Sequence, residues 1–180
     1  MILFKPRGDL MGLAQINLPC GKCIGCKMER SRGWAIRCVH EGKMHSENCF
    51  LTLTYDNDHL PSNGTLVVRD LQLFLKRLHN HLLRKRGFGV RYFGAGEYGD
   101  ESQRPHYHVL LFGFRWPDLR FWKGRKPFQQ YRSEFLEQIW TAGFSTVGSV
   151  TPQSAQYVAK YSVKVKDGMY ASRDDGRLIS

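Results

Sequence analysis

The sequence has no hydrophobic run long enough to cross a membrane and no clear leader at its start. A membrane-spanning helix needs about 18 consecutive apolar residues, and the 180 residues contain no such run. The first apolar residues are interrupted by Lys5, Pro6 and Arg7, which does not fit a signal peptide. Internal repeats and low-complexity tracts are also absent. We therefore expect a soluble, intracellular protein with one packed domain and a small appendage.

Acidic residues are scarce relative to basic ones. The chain carries 16 Asp and Glu against 27 Lys and Arg, which gives a formal net charge of +11 and a pI near 9.6. This balance favours a polyanionic partner, most simply nucleic acid. The alternative is a basic surface without such a partner, which many small soluble proteins have.

Residues 115–126 interleave cations with aromatic rings. Cations bind phosphates, and exposed rings stack on unpaired bases, so the mixture favours single-stranded nucleic acid over duplex. The competing interpretation is a loop whose aromatic side chains fold back onto the core. The candidate DNA-binding residues of this segment are Arg115, Trp116, Arg120, Trp122, Lys123, Arg125 and Lys126.

The five cysteines are odd in number and lie in the first third of the chain, which argues against a disulfide framework. Cys20, Cys23 and Cys26 have knuckle-like spacing and predict a structural zinc site. Cys38 lies 12 residues beyond the third cysteine, or about 18 Å along one helix. The fourth ligand is then His40, Cys49 or none. Reduced, partly buried thiols without a metal are the alternative.

Hydrophobic periodicity predicts three regions: an N-terminal arm and helix with the cysteines (1–46), a central domain (47–166) and a polar tail (167–180). Strands are expected at 49–55, 90–97, 107–114 and 144–150. Helices are expected at 22–46, from a cap at Asp70 to Gly87, at 128–141 and at 152–166. The order β-α-β-β-α-β predicts an α+β fold of the split β-α-β type, RRM-like or ferredoxin-like. Its sheet is antiparallel with helices on one face.

Two histidines on the third predicted strand form the first candidate site. His106 and His108 point the same way because alternate side chains of a strand share a face. Glu97 ends the preceding strand, so a hairpin brings it near the first histidine. Two imidazoles and one carboxylate leave coordination positions open for water and substrate oxygens, as metal-assisted catalysis requires. Two loop carboxylates are the alternative third ligands: Asp100 and Glu101.

Two tyrosines on the last predicted helix form the second candidate site. Tyr157 and Tyr161 are four residues apart and therefore share a helical face, together with Lys160 and Lys164. A phenol is a poor nucleophile at neutral pH because its pKa is near 10. Lys160 either favours the phenolate or stabilises a pentacoordinate phosphate, and simple phosphate anchoring is the alternative. With a metal nearby, this arrangement suggests phosphoryl transfer to tyrosine.

Three ordered segments resemble the motifs of HUH endonucleases: residues 50–55 (FLTLTY), residues 96–113 with GEYG and RPHYHVLLFG, and residues 157–161 (YVAKY). The closest resemblance is to rolling-circle replication initiators of microviruses, particularly the gokushovirus group. Residues 19–26 (PCGKCIGC) and 34–37 (WAIR) are similar to the N-terminus of that group. The resemblance covers most of residues 18–165.

The resemblance implies a replication initiator that nicks single-stranded DNA at a viral origin. His106, His108 and Glu97 would hold Mg²⁺ or Mn²⁺. Tyr157 or Tyr161 would attack the phosphate, leaving a 5′-phosphotyrosine link and a free 3′-hydroxyl. The other tyrosine would then act in strand transfer and termination. Arg104 and Lys164, which lie in and beside the motifs, are assigned to DNA binding.

The resemblance also implies partners and a location. We expect single-stranded origin DNA, with or without a hairpin, and host helicase and polymerase in the cytoplasm of a bacterial host cell. The sequence contains no P-loop, so unwinding is expected from a partner. Initiators of this group often continue beyond this length. Alternatives are a related HUH relaxase or transposase, a non-catalytic RRM-like nucleic-acid-binding module, or a zinc-ribbon adaptor.

Overall fold

A six-stranded antiparallel sheet with helices on both faces forms the body of the protein, in a computed structural model that describes residues 18–99 and 102–163. The strands are β1 (Asn48–Tyr55), β2 (Arg91–Tyr98), β3 (Pro105–Phe112), β4 (Arg120–Lys123), β5 (Gln130–Arg132) and β6 (Gly143–Gly148). The helices are α1 (Ile24–Lys43), α2 (Val68–Arg86), α3 (Glu134–Ile139) and α4 (Pro152–Ser162).

The strand order across the sheet is β2-β3-β1-β6-β5-β4. β3 therefore lies between β1 and β2, the two strands that α2 connects, which is the split β-α-β arrangement. The α+β class predicted from the sequence is confirmed. The short hairpin of β4 and β5 extends the sheet beyond β6, and no sequence pattern predicted it.

One face of the sheet packs against α2 and α3. Odd-numbered residues of β3, namely Tyr107, Val109 and Leu111, enter this core together with Leu78 of α2 and Leu136 of α3. Each fully buried leucine of this kind contributes roughly 1.5–3 kcal/mol to stability through removal of apolar surface from water. This larger core holds the sheet against two helices and fixes the strand register.

The opposite face packs against the flanking helices α1 and α4. Leu110 and Phe112 of β3 meet Cys38 of α1 and Val158 of α4 in a second, smaller core. Because β3 is covered on both faces, its C-terminal half is a continuous apolar run rather than an alternating one. The helix that carries the candidate tyrosines thus lies over the same sheet face as the two histidines.

Local signals set the ends of the helices. Thr151 caps α4 through a capping box with Ser154, and Pro152 occupies the first turn. Gly87 ends α2 in the left-handed conformation (φ 74°), as expected. Asp70 is not the cap of α2, because the helix begins two residues earlier. Its carboxylate instead accepts a hydrogen bond from the Tyr55 hydroxyl at 2.6 Å.

The helix predicted over 128–141 is wrong in its first half. Residues 130–132 form β5, and α3 begins only after Ser133, whose hydroxyl accepts the Leu136 N–H at 3.0 Å. Ser133 in turn donates to Asp118 at 2.6 Å, a long-range contact that fixes the helix start. None of the helices in the described ranges is long and apolar enough to cross a bilayer. The predicted tail (167–180) and nearly all of the predicted arm (1–19) lie outside the described residues.

Candidate functional site

Two neighbouring strands bring Glu97, His106 and His108 together. Glu97 of β2 pairs directly with His106 of β3, and His108 lies two residues further on the same face. The Oε2 atom of Glu97 is 3.0 Å from Nε2 of His108 and 3.5 Å from Nε2 of His106. One ligand atom from each residue lies within 4.8 Å of the others, which is compatible with a single bound cation.

The hydrogen bonds behind the two imidazoles orient their ring nitrogens. Nδ1 of His106 lies 3.1 Å from the Arg104 carbonyl, which only accepts, so this nitrogen carries the proton. Nδ1 of His108 lies 3.1 Å from the Thr52 hydroxyl, which accepts equally well. Protons on both Nδ1 atoms leave both Nε2 lone pairs directed at the carboxylate. Such second-layer partners are typical of metal-binding histidines.

The electrostatics of the cluster fit a cation. Burial, helped by the neighbouring His106, lowers the pKa of His108 to about 4 despite the opposing effect of Glu97, so His108 is neutral at physiological pH. Its buried Nε2 makes no well-aligned hydrogen bond, although Glu97 is near. Burial raises the pKa of Glu97, but hydrogen bonds from Tyr161 and Tyr157 and the two histidines outweigh it and lower the pKa below its usual value. Three lone-pair donors that face one another favour a bound cation.

The tyrosine pair lies directly above this cluster. The Tyr157 hydroxyl donates to Oε2 of Glu97 at 2.8 Å. The Tyr157 ring centroid is 5.0 Å from that of His108 and 4.8 Å from that of Tyr161, which lies 6.4 Å from the same imidazole. Burial and hydrogen bonds with Tyr161 and Glu97 raise the pKa of Tyr157. Lys160 is exposed on the same helix.

The remaining carboxylate and cation candidates of this region lie outside the described residues. They are Asp100, Glu101 and Lys164. Among the described residues, the structure groups the His pair with Glu97, the strand-borne carboxylate. Thr52, which orients His108, was missed in the sequence. Only its place opposite His108 in the register of β1 and β3 reveals it.

The basic and aromatic segment divides between core and surface. Trp116 is only 2% exposed and packs against Phe114 and Phe135, so the prediction that it stacks on bases is wrong. Its neighbour Arg115 is exposed. The other candidates lie on or just beyond the edge strand β4 with their side chains exposed: Arg120, Trp122, Lys123, Arg125 and Lys126.

Strand β4 offers a mixed cationic and aromatic surface. The Lys123 ammonium lies 4.1 Å from the centre of the Trp122 ring, and the Arg132 guanidinium lies 5.8 Å from it. β4 is four strands away from β3 in the sheet order, or about 19 Å at the usual strand spacing. The histidines and this surface therefore belong to one sheet but not to one contact site.

A cleft beside the histidines contains residues that no sequence motif singled out. Its volume is about 460 Å³, and Thr54, Asn57, Arg104 and Phe144 are among its lining residues. Arg104 donates to the Asn57 side chain at 2.8 Å. Thr54 pairs with His106 on one side and with Phe144 on the other, so Phe144, 59% exposed, continues the row of the metal cluster across the sheet.

The first three cysteines form a separate cluster at the start of α1. The Sγ atoms of Cys20 and Cys26 are 3.8 Å apart, and all three sulfurs lie within 4.8 Å of one another. Backbone N–H groups of Cys23 and Lys22 lower the pKa of Cys20 to about 6. Cys38 and Cys49 are buried in the two cores instead, and neither they nor His40 joins the cluster in the described ranges.

The fold and the grouped side chains define a class of replication-associated proteins. Residues 48–166, which include the whole sheet and both candidate motifs, match the family model of the replication-associated protein ORF2. The chain belongs to this family. The resemblance drawn from the three motifs is therefore confirmed at the level of the family.

Curated phage proteins are similar to most of this chain. It is 45% identical to replication-associated protein VP4 of Bdellovibrio phage phiMH2K, over 91% of this chain and 53% of the relative. It is 36% identical to replication-associated protein ORF2 of Spiroplasma virus 4 (84% and 50%). A third relative is replication-associated protein ORF4 of Chlamydia phage 1, 36% identical (87% and 41%). The chain spans about half the length of these relatives. No solved structure matches it.

Proposed function

We propose that this domain nicks single-stranded DNA by transferring a phosphodiester to Tyr157 or Tyr161, as the first step of phage rolling-circle replication. The observation that carries the proposal is the contact between the Tyr157 hydroxyl and Glu97 at 2.8 Å, with Glu97 itself 3.0 Å from His108. A potential nucleophile thus lies within one side chain of a cation-binding cluster. Family membership supports a role in replication.

The proposed chemistry is a transesterification. The tyrosine oxygen forms a bond to phosphorus while the bond from phosphorus to the 3′-oxygen breaks, and the phenolic proton ends on that 3′-oxygen. The products are a 5′-phosphotyrosine and a free 3′-hydroxyl. One phosphoester replaces another, so the step is reversible and needs no nucleotide cofactor.

Glu97, His106 and His108 are the residues that would hold Mg²⁺ or Mn²⁺. When bound, such an ion polarises a phosphoryl oxygen and stabilises charge on the phosphate under attack. The chain's own groups prepare the rest. Glu97 accepts the hydrogen bond of Tyr157 and so holds its oxygen at the cluster, and Thr52 and the Arg104 carbonyl fix the imidazoles. A carboxylate and neutral imidazoles suit Mn²⁺ well, and Mg²⁺ less because it prefers oxygen ligands.

The pair of tyrosines supports two alternating transfers. Both rings lie against His108, and both hydroxyls contribute hydrogen bonds that lower the pKa of Glu97. After one tyrosine is linked to DNA, the other can attack the regenerated junction and release the displaced strand. Exposed Lys160, on the same helix, is proposed to bind a phosphate close to the reacting one.

The sheet suggests a path for the DNA. The row from Glu97 through His106 and Thr54 reaches Phe144, an exposed ring on which a base beside the scissile phosphate can stack. Arg104 lies beside this row. Beyond it, cations and the Trp122 ring on β4 would bind further nucleotides. The 3′-hydroxyl would be extended by a host polymerase, with a host helicase separating the strands.

The test is covalent-adduct formation on single-stranded origin DNA in Mn²⁺. Wild type, Tyr157→Phe, Tyr161→Phe and the double variant are compared by denaturing gel, with a label at the 3′ end of the DNA, the end retained in the adduct. We expect an adduct with wild type and none with the double variant, and each single variant reports which tyrosine acts first.

Tyr98→Phe is the matched control. Tyr98 follows Glu97 on β2, so its side chain lies on the opposite face of the sheet, where its hydroxyl accepts the Leu66 N–H. This variant should form adduct as the wild type does. An undiminished adduct in the double variant, or no adduct with any fragment of the phage genome, contradicts the proposal.

A further inference from the structure

The three sulfurs at the start of α1 are arranged as ligands of one metal ion. We propose that Cys20, Cys23 and Cys26 bind a single zinc ion as thiolates, with water as the fourth ligand. This site is separate from the histidine cluster on the sheet. The proposal does not depend on the nicking reaction.

The spacing of the sulfurs fits one tetrahedral ion. Thiolates bind zinc at about 2.3 Å, so two of them on one tetrahedral ion lie about 3.8 Å apart. The Sγ atoms of Cys20 and Cys26 are 3.8 Å apart, and Cys23 completes a group within 4.8 Å. A disulfide would need about 2.05 Å and would leave the third thiol unpaired. An iron–sulfur cluster shares its cysteines among several irons, which requires a wider spread of sulfurs.

The backbone holds the three residues in this geometry. Gly21 has φ 72°, a left-handed conformation that turns the chain back between the first two cysteines. The Cys23 N–H then points at Cys20 Sγ, 3.4 Å away. Cys23 is the N-cap residue of α1 and Cys26 lies in its first turn, where the helix dipole favours negative charge.

The sequence offers no fourth thiolate or imidazole close to the cluster. Segments 1–19 and 27–37 contain neither cysteine nor histidine. Cys38 is buried between α1 and the sheet, and Cys49 lies in the core on the other face. These positions leave the fourth coordination site to solvent.

The site would fix the start of the helix that supports α4. α1 lies beside α4 on one face of the sheet, and Gln156 of α4 donates to Ser31 of α1 at 3.1 Å. Three thiolates and one Zn²⁺ carry a net charge of −1. Lys22 and Lys27 flank the cysteines and offset that charge. The metal would therefore order a segment that has few apolar contacts of its own.

The test is the zinc content of full-length chain purified in reductant, measured by mass spectrometry. We expect about one zinc per chain in the wild type, and at least a tenfold loss in Cys20→Ser, Cys23→Ser or Cys26→Ser. Cys38→Ala is the matched control, because it removes a thiol from the same helix but not from the cluster, and it should keep its zinc. The His106→Ala, His108→Ala double variant should also keep its zinc while losing nicking, which separates this proposal from the proposed function.

Cobalt substitution tests the geometry without any variant. Wild-type chain loaded with Co²⁺ should show thiolate-to-cobalt charge transfer and the intense visible bands of tetrahedral coordination. Zinc that persists in the cysteine variants, a wild type without zinc, or an octahedral Co²⁺ spectrum would each overturn the proposal.

Discussion

Thr52→Val is the perturbation that tests the metal cluster with the least change in shape. Valine has nearly the volume of threonine and is a good strand residue, so β1 should keep its packing. The substitution removes the hydroxyl that lies 3.1 Å from Nδ1 of His108. It touches no proposed ligand directly.

The magnitude follows from the loss of that hydrogen bond. His108 is almost fully buried, so an unsatisfied Nδ1 costs about 1–3 kcal/mol. The ring can avoid this cost by moving its proton to Nε2, where it faces the Glu97 carboxylate and is unable to bind a metal. Loss of such a second-layer partner typically lowers metal affinity by about 10–100-fold, which corresponds to about 1.4–2.8 kcal/mol. The two routes give the same range.

The assay is Mn²⁺ titration, by calorimetry and by nicking rate. We expect the midpoint of the Thr52→Val titration to move to higher Mn²⁺ by about 10–100-fold, while the rate at saturating metal approaches that of the wild type. Thr146→Val is the matched control, since Thr146 pairs with Thr52 from β6 and has no contact with His108 in the described residues. An unchanged midpoint in Thr52→Val would refute the proposed role of His108 as a metal ligand.

Three further predictions concern DNA binding and the core. His106→Ala should abolish nicking while single-stranded DNA binding, measured by fluorescence anisotropy, stays within a few-fold of wild type; a parallel loss of both would indicate a structural role. Trp122→Ala should weaken single-stranded DNA binding by about 1–3 kcal/mol without changing the melting temperature, and unchanged affinity would remove β4 from the DNA path. Trp116→Ala should lower the free energy of unfolding by about 3–5 kcal/mol in a denaturant titration because this ring is buried, and a change below about 1 kcal/mol would contradict its place in the core.

Local chemistry explains why much of the fold was predictable. β1 alternates, α4 has a capping box, and Gly87 ends α2, and each of these signals is contained within a few residues. The β4–β5 hairpin is different. β4 is an exposed edge strand and β5 has only three residues, so neither has a buried face that would leave a periodic pattern. The start of α3 likewise depends on Asp118, 15 residues away in sequence.

The candidate site shows the same division. That His106 and His108 share a face follows from strand geometry alone, and that Tyr157 and Tyr161 share a helical face follows from the helical repeat. The role of Trp116 did not follow, because a tryptophan between charged residues has the same local sequence whether its ring is exposed or buried. Phe144 and Thr52 were invisible for a related reason, since their importance lies in which residues face them across the sheet.

The sequence by itself determined the α+β class, the family motifs and the residue types of a metal cluster and a tyrosine pair. Only the tertiary structure decided that the Tyr157 hydroxyl lies 2.8 Å from Glu97, and that three cysteine sulfurs converge at the start of α1. Periodicity fixes the direction of a side chain relative to its own helix or strand. The distance between two elements is set by how their buried faces pack, and here packing places α4 on the histidine face of the sheet.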